Sequence, residues 1–333
     1  MTRKKIFSMG FTLIELAVAL TIVALVVGGL AVPISKRIAE QQYIDTQTNI
    51  DKAIEALVGY AIQNRRLPCP DVSTNATDNR DGFEDIAGSV GAVTGCSIGI
   101  AGTASNAVNY HSDPEGVSWG DLPWQTLGLA PPYNVDAWNN RLRYAVFTPL
   151  VTQALPATPA FCNNTGANAT IGFANLGCMT NPSATGPAIT AGVLNAQIDM
   201  RCANPASPPT TPALGCATTT TVTPPSYAVS QNIVFVVYSM GTNGLGATSL
   251  VDLGTTSKYA FTSTTIAKYP DQAANAPEIE SDTIQALASI KRRQFVVRAR
   301  TDETSASGAF DDVFGYMSAA TLAAKLSAAG VWP

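Results

Sequence analysis

Charge is scarce in this chain: Asp, Glu, Lys and Arg make up 13% of 333 residues, and the formal charge is −4. That balance offers no basic patch of the kind a nucleic-acid backbone requires, so no nucleic-acid partner is expected. Histidine is scarcer still. The single copy, His111 in YHSDPEG, has no sulfur or carboxylate at metal-ligand spacing, and the turn formers around it read as a solvated loop. No CxxC occurs, which argues against a zinc site and against c-type haem attachment, since the latter needs CxxCH. HExxH and the P-loop are also missing, as is a paired catalytic acid in a recognisable setting, so the chain is read as non-enzymatic.

What the chain does have is an unusual N-terminus, MTRKKIFSMG followed by FTLIELAVALTIVALVVGGLAV. In an ordinary secretory signal the cleavage site follows the apolar core. Here the candidate cleavage point, Gly10 before Phe11, precedes it, so a cut there keeps the apolar segment as the new N-terminus. From Leu16 to Val32 only Thr21 is polar, and with Phe11 to Ile14 the run reaches about 20 residues, which predicts a membrane-crossing helix over 11–32. Arg3, Lys4 and Lys5 hold the leader in the cytoplasm and direct the chain from Leu67 onward outside. Glu15 needs an answer, because a carboxylate inside a membrane segment costs about 2.5–3.5 kcal/mol. One answer is its place a turn inside the helix start, favouring the positive dipole end and reaching toward headgroups. The other is a pairing with the α-ammonium of Phe11 on a neighbouring subunit.

These residues resemble the type IV prepilin and pseudopilin superfamily, whose hallmark is G/FTLIEL with the slash at the processing site. The resemblance implies that Gly10 is the cleavage glycine, Phe11 the N-terminus that the family's peptidase also methylates, and Glu15 the acidic residue used in assembly. Pro33 stands near the depth where the family usually carries a proline, and a helix kink is expected there. Further along, LPCP from Leu67, DAWNNRLRYAV, VVYSMGTNG and FDDVFGYMS resemble landmarks of large bacterial prepilin-like proteins, in which DxWGNRxRYAV and FDDxVxWxS stand at corresponding places. Asn139 departs from that pattern, occupying a glycine position in a tight turn.

Beyond Pro33 the chain turns amphipathic, with Ile50, Ile54, Leu57, Val58 and Ala61 on one stripe at helical spacing. Arg65 and Arg66 suit a helix C-terminus and Pro68 stops it, so a helix of about 55 residues, near 80 Å at 1.5 Å per residue, is expected from Phe11. In the external part, Leu142, Tyr144 and Val146 alternate with Arg143 and Ala145 as in a strand, and the run from Ile233 reads as a buried strand with a turn at Asn243 and Gly244. RRQFVVRAR from Arg292 alternates like an exposed antiparallel strand. Ser318 to Ala329 reads as a closing helix with Leu322 and Leu326 in register. Between Thr148 and Pro225 the chain is rich in Thr, Pro, Ala and Asn with little periodicity, and is read as a surface insertion.

Six cysteines, Cys69, Cys96, Cys162, Cys178, Cys202 and Cys216, all follow the apolar segment. An even count on the exported side points to disulfides. Fifteen pairings exist; pairing each cysteine with its nearest neighbour closes three short loops. Asp252, Asp311 and Asp312 are candidate calcium ligands by chemistry, without EF-hand spacing; no other cofactor is expected.

The expected fold class is therefore α+β: a long N-terminal pilin-type helix, with a membrane half and an amphipathic half, packed on an antiparallel-sheet head with a long disulfide-stapled insertion. The expected organisation is a leader over 1–10, a transmembrane and filament-core helix over 11–32, its amphipathic continuation over 33–66, and an external head over 67–333 with the insertion at 148–225. Loss of the leader's three cations takes the formal charge from −4 to −7. The resemblance implies a structural subunit processed by a prepilin peptidase and assembled into a type II secretion pseudopilus or a type IV pilus. A large head crowds a helical lattice, which favours a minor or low-copy component. Other pilin or pseudopilin subunits, an inner-membrane assembly platform and membrane lipid are the implied partners. The implied location is a single pass through a Gram-negative inner membrane, with the head periplasmic or extracellular. The competing class is a membrane-tethered adhesin or binding protein that uses the helix as an anchor only.

Overall fold

The computed structural model describes residues 12–72, 82–89, 92–96, 117–147, 198–202, 228–245, 269–275, 294–301 and 309–331, with the backbone alone at 27–35, 87–89, 92–95, 228, 270 and 273–274. The chain divides into two compact units, Met1–Ile44 and Asp45–Pro333. Helix α1, Leu13–Asn64, contributes to both.

In the second unit the final turns of α1 bury Ile50, Ala53, Leu57 and Ala61, spaced three and four apart so that they form one stripe. The helix stops at Asn64 because Arg65 takes a left-handed φ of 55° and Pro68 cannot continue it. Polar positions dock the same helix. Asn49 donates to the carbonyls of Pro132 (3.2 Å) and Val135 (2.8 Å), and the Thr46 hydroxyl accepts from the Ala137 N–H at 3.1 Å.

Strands β1 (Ile86–Ser89) and β2 (Ala92–Cys96) form an antiparallel pair. The main sheet contains β3 (Val117–Asp121), β4 (Arg143–Phe147), β5 (Ile198–Arg201), β6 (Ala228–Ser239), β7 (Gln294–Val296) and β8 (Val313–Ser318). Its order is β3-β4-β6-β5-β7, and β8 also pairs with β6. The residues from Ile233 to Met240 in and just beyond β6 are all buried, as a continuous apolar run requires when both sheet faces are covered. One face receives α1: at Gly315 an added Cβ would stand 2.5 Å from Ile50 Cγ2 and 2.6 Å from Ile54 Cδ1, so the glycine is what lets the helix approach. The other face holds a core around Trp119, Val236, Tyr238 and Phe295, with the Tyr238 and Phe314 rings stacked at 5.6 Å. Two short helices follow, α2 (Pro270–Asn275) and α3 (Ala319–Ala328). Ser318 caps α3 by accepting from the Thr321 N–H, and Leu322 and Leu326 are buried. Asn275 at the end of α2 closes the β7 edge: its amide donates to the Val296 carbonyl at 2.9 Å and accepts the Val296 N–H at 2.7 Å.

Several expectations are corrected. The sheet is mixed rather than antiparallel, because β5 and β7 run parallel with Asp199, Met200 and Arg201 opposite Gln294, Phe295 and Val296. The 148–225 segment supplies β5, whose Ile198, Asp199 and Met200 are buried inside that sheet. Among the described residues no helix is long and apolar enough to cross a membrane. This finding goes against the transmembrane helix over 11–32 and the single-pass inner-membrane location. With it the expected fold class falls, and the sheet is not the antiparallel one foreseen. The helix assignment is continuous through Pro33, whose side chain, and with it the expected kink, lies outside the described residues.

Candidate functional site

The residues that carried the resemblance fall at two places. The first is the start of α1. Thr12 and Glu15 form a reciprocal capping box: Glu15 Oε2 accepts the Thr12 N–H at 2.9 Å and the Thr12 hydroxyl at 2.8 Å, while the Glu15 N–H donates to Thr12 Oγ1 at 3.3 Å. Threonine followed three residues later by glutamate is the sequence signal for this arrangement, and the reading of Glu15 from membrane cost and charge missed it. Gly10 and Phe11 lie outside the described residues.

From that cap onward the helix is apolar on every side. Leu13, Ile14, Leu16, Val18, Leu20, Ile22, Val23, Leu25 and Val26 are all more than half exposed, Leu13 at 88%. A helix apolar around its whole circumference belongs in an interior, because one face alone never satisfies it. Complete burial of such a side chain is worth about 1.5–3 kcal/mol, so covering these nine from their present exposure is worth on the order of 10 kcal/mol.

The second place is one end of the main sheet, where the head motifs converge. Asp136 of DAWNN accepts from the N–H groups of Trp138 (2.9 Å) and Asn140 (2.8 Å) and from the Ser239 hydroxyl of VVYSMG at 2.7 Å. The turn it organises puts Asn139 at φ 68°, a left-handed conformation that asparagine tolerates in place of the glycine of the family pattern. Asp311 of FDDVFG accepts the Asn243 N–H at 2.9 Å and is held by the Gln272 amide, and Gly241 lies so close that an added Cβ would stand 2.4 Å from the Asp311 carbonyl oxygen. Tyr144 of RLRYAV donates to the Pro68 carbonyl of LPCP at 3.2 Å. The four motifs thus tie one another together.

This arrangement also bears on the calcium candidates. Asp311 lines a cavity of about 450 Å³ with Thr242, Asn243, Tyr269, Arg300 and Thr301. Both of its carboxylate oxygens already accept hydrogen bonds. Burial raises its pKa, against the opposing Asn243 and Gln272 bonds. Asp312 accepts from Asn275 at 2.8 Å, and burial and the Asp311 charge push it well above the usual range. Carboxyls driven toward the neutral acid are poor ligands for a hard cation. Among the described residues no group of side chains is placed to hold a metal ion, and Asp252 lies outside them.

Cys69 and Cys96 are joined by a disulfide, Cα to Cα 5.3 Å, fastening the chain just past α1 to the β1–β2 pair. Cys202 is also disulfide-bonded, and no described cysteine is free. Cys162, Cys178 and Cys216 lie outside the described residues, as does His111. Sequence reasoning missed the buried ions. Arg143 and Tyr144 alternate along β4 as the sequence pattern has it, and both are fully buried. Arg143 stands 3.5 Å from Asp121, and Arg141 lies 3.6 Å from Asp121 and 3.8 Å from Asp71. Arg66 reaches Glu84 through both terminal nitrogens, and Arg298 pairs with Asp271 at 2.8 Å. The usable signal was pairing across strands, Asp121 of WGDLP with the arginines of RLR.

No family model, curated protein or solved structure matches the chain.

Proposed function

We propose that this chain is a prepilin-like structural subunit, cut after Gly10 by a prepilin peptidase and assembled into a type II secretion pseudopilus or a type IV pilus as a minor or low-copy component. The observation that carries the reading is the start of α1, where nine large apolar side chains stand exposed on all sides behind a capped helix end. Bundling with like helices of other subunits buries that surface without one partner having to fit one face. The head supports a structural role: Asp136 spends its polar atoms on Ser239 and Asn140 of the motifs, and Asp311 spends its own on Asn243 of a motif and on Gln272 of α2. Assembly partners are other pilin or pseudopilin subunits and their assembly platform.

In the free chain Glu15 is satisfied by Thr12. In the filament its charge is assigned to the Phe11 ammonium of a neighbour, liberated by the cut after Gly10. Glu15→Gln tests this cleanly, because glutamine also completes a capping box and leaves the helix start intact. The variant is expected to be cut after Gly10 and to lose incorporation beside wild-type partners, read by crosslinking at equal protein levels. Undiminished incorporation overturns the assembly role of Glu15.

A further inference from the structure

Asp71 occupies the joint between the end of α1 and the sheet. Its main chain bridges Asp121 in both directions, N–H to carbonyl at 3.0 and 2.9 Å, and Gly120 approaches so closely that an added Cβ would stand 2.6 Å from the Asp71 carbonyl oxygen. The side chain is fully buried. Oδ2 accepts the Gly82 N–H at 2.8 Å, and Oδ1, also buried, has no hydrogen-bond partner. Among the described residues the nearest cation is Arg141, at 3.8 Å, beyond hydrogen-bond reach and shared with Asp121 at 3.6 Å. Arg143 lies nearer Asp121, at 3.5 Å. Other charged or titratable groups on the elements around this joint are Asp85, which accepts the Val72 N–H, Glu84 with Arg66, and Tyr144. A buried carboxylate with one oxygen unsatisfied is strongly disfavoured, and a proton is the smallest ligand that relieves it.

We propose that Asp71 is a buried proton-holding site: its carboxyl is protonated in the folded head at neutral pH, so folding takes up a proton and the joint between α1 and β3 weakens as pH rises. Burial, with the Asp121 and Asp85 charges adding to it, moves the group to about 9 against the Gly82 N–H and Arg141. The ordinary value in an unfolded chain is about 3.9. A folded value above the unfolded one means the contribution is complete below about pH 4 and declines until the folded group ionises.

The test is urea unfolding of the full-length, disulfide-intact chain at pH steps from 5 to 8.5, for wild type and Asp71→Asn, whose amide oxygen can take the place of Oδ2 as acceptor of the Gly82 N–H. The wild-type unfolding constant is expected to rise, relative to the variant's, by up to tenfold per pH unit. Parallel profiles overturn the proposal. Carboxyl carbon-13 resonances of the wild type give a second reading that does not depend on the variant folding: Asp71 should not titrate between pH 4 and 7, and a midpoint near 4 refutes the assignment.

Discussion

Replacing Glu84 by glutamine should be among the most damaging single changes of near-constant size in the head. The carboxylate receives four donors: Arg66 Nη1 at 2.7 Å, Arg66 Nη2 at 2.6 Å, the Tyr60 hydroxyl at 2.8 Å and the Cys69 N–H at 3.0 Å. Side-chain exposure is 7% for Arg66 and 13% for Glu84, so water does little to replace the lost partner. Glutamine turns an amide NH₂ toward donors and leaves the guanidinium charge uncompensated. Removing one partner of a buried pair costs about 3–5 kcal/mol, a roughly hundredfold to few-thousandfold shift in the unfolding constant. Urea unfolding of the full-length chain followed by tryptophan fluorescence reads it, because the Trp124 ring packs against Gly82, two residues from the substitution. Burial raises the Glu84 pKa, but the Arg66 bonds and charge and the Cys69 N–H outweigh it, and the group ends below its ordinary value. A lowered folded value means the pair contributes fully above about pH 4.3 and is lost as pH falls through the folded pKa. The gap between wild type and variant should therefore be flat from pH 5 to 8 and close in stronger acid. A loss under about 1 kcal/mol at pH 7, or a gap that widens on acidification, refutes the reasoning.

Two further substitutions probe the packing of α1. Gly315→Val puts carbon where Ile50 and Ile54 already stand at 2.5 and 2.6 Å, and should destabilise by about 1–3 kcal/mol; an unchanged melting temperature means the helix does not rest on β8. Arg65→Gly relieves a left-handed φ of 55° at the helix end and should stabilise by about 0.5–1 kcal/mol in urea titrations, whereas a loss means the arginine side chain matters more than its backbone.

Legibility followed how local the signal was. The stripe through Ile50, Leu57 and Ala61, the apolar run of β6 and the Leu322–Leu326 spacing of α3 are each set within one element, and each shows in the bare sequence. Strand β5 does not show, because IDMR has no periodicity of its own and is a strand only by lying between β6 and β7. The direction of β7 was misread for the same reason, since alternation in RRQFVVRAR says nothing about which partner the strand meets. The burial of Arg143 does not show in its own strand's alternation, because its compensation by Asp121 comes from another strand. Hydropathy alone overstated the N-terminal segment as a membrane span, while the Thr12–Glu15 cap was present in the letters and went unused.

The central claim is that the exposed apolar start of α1 is covered by like helices. Its most direct test is photo-crosslinking from a reactive phenylalanine analogue placed at Val18, which is 53% exposed, in sheared filaments from cells that also carry the prepilin peptidase. The account predicts adducts joining a chain that begins at Phe11 to residues 13–26 of a second copy or of another pilin-like subunit. Adducts confined to lipid, or a chain that still begins at Met1 and crosslinks to no subunit, contradict it.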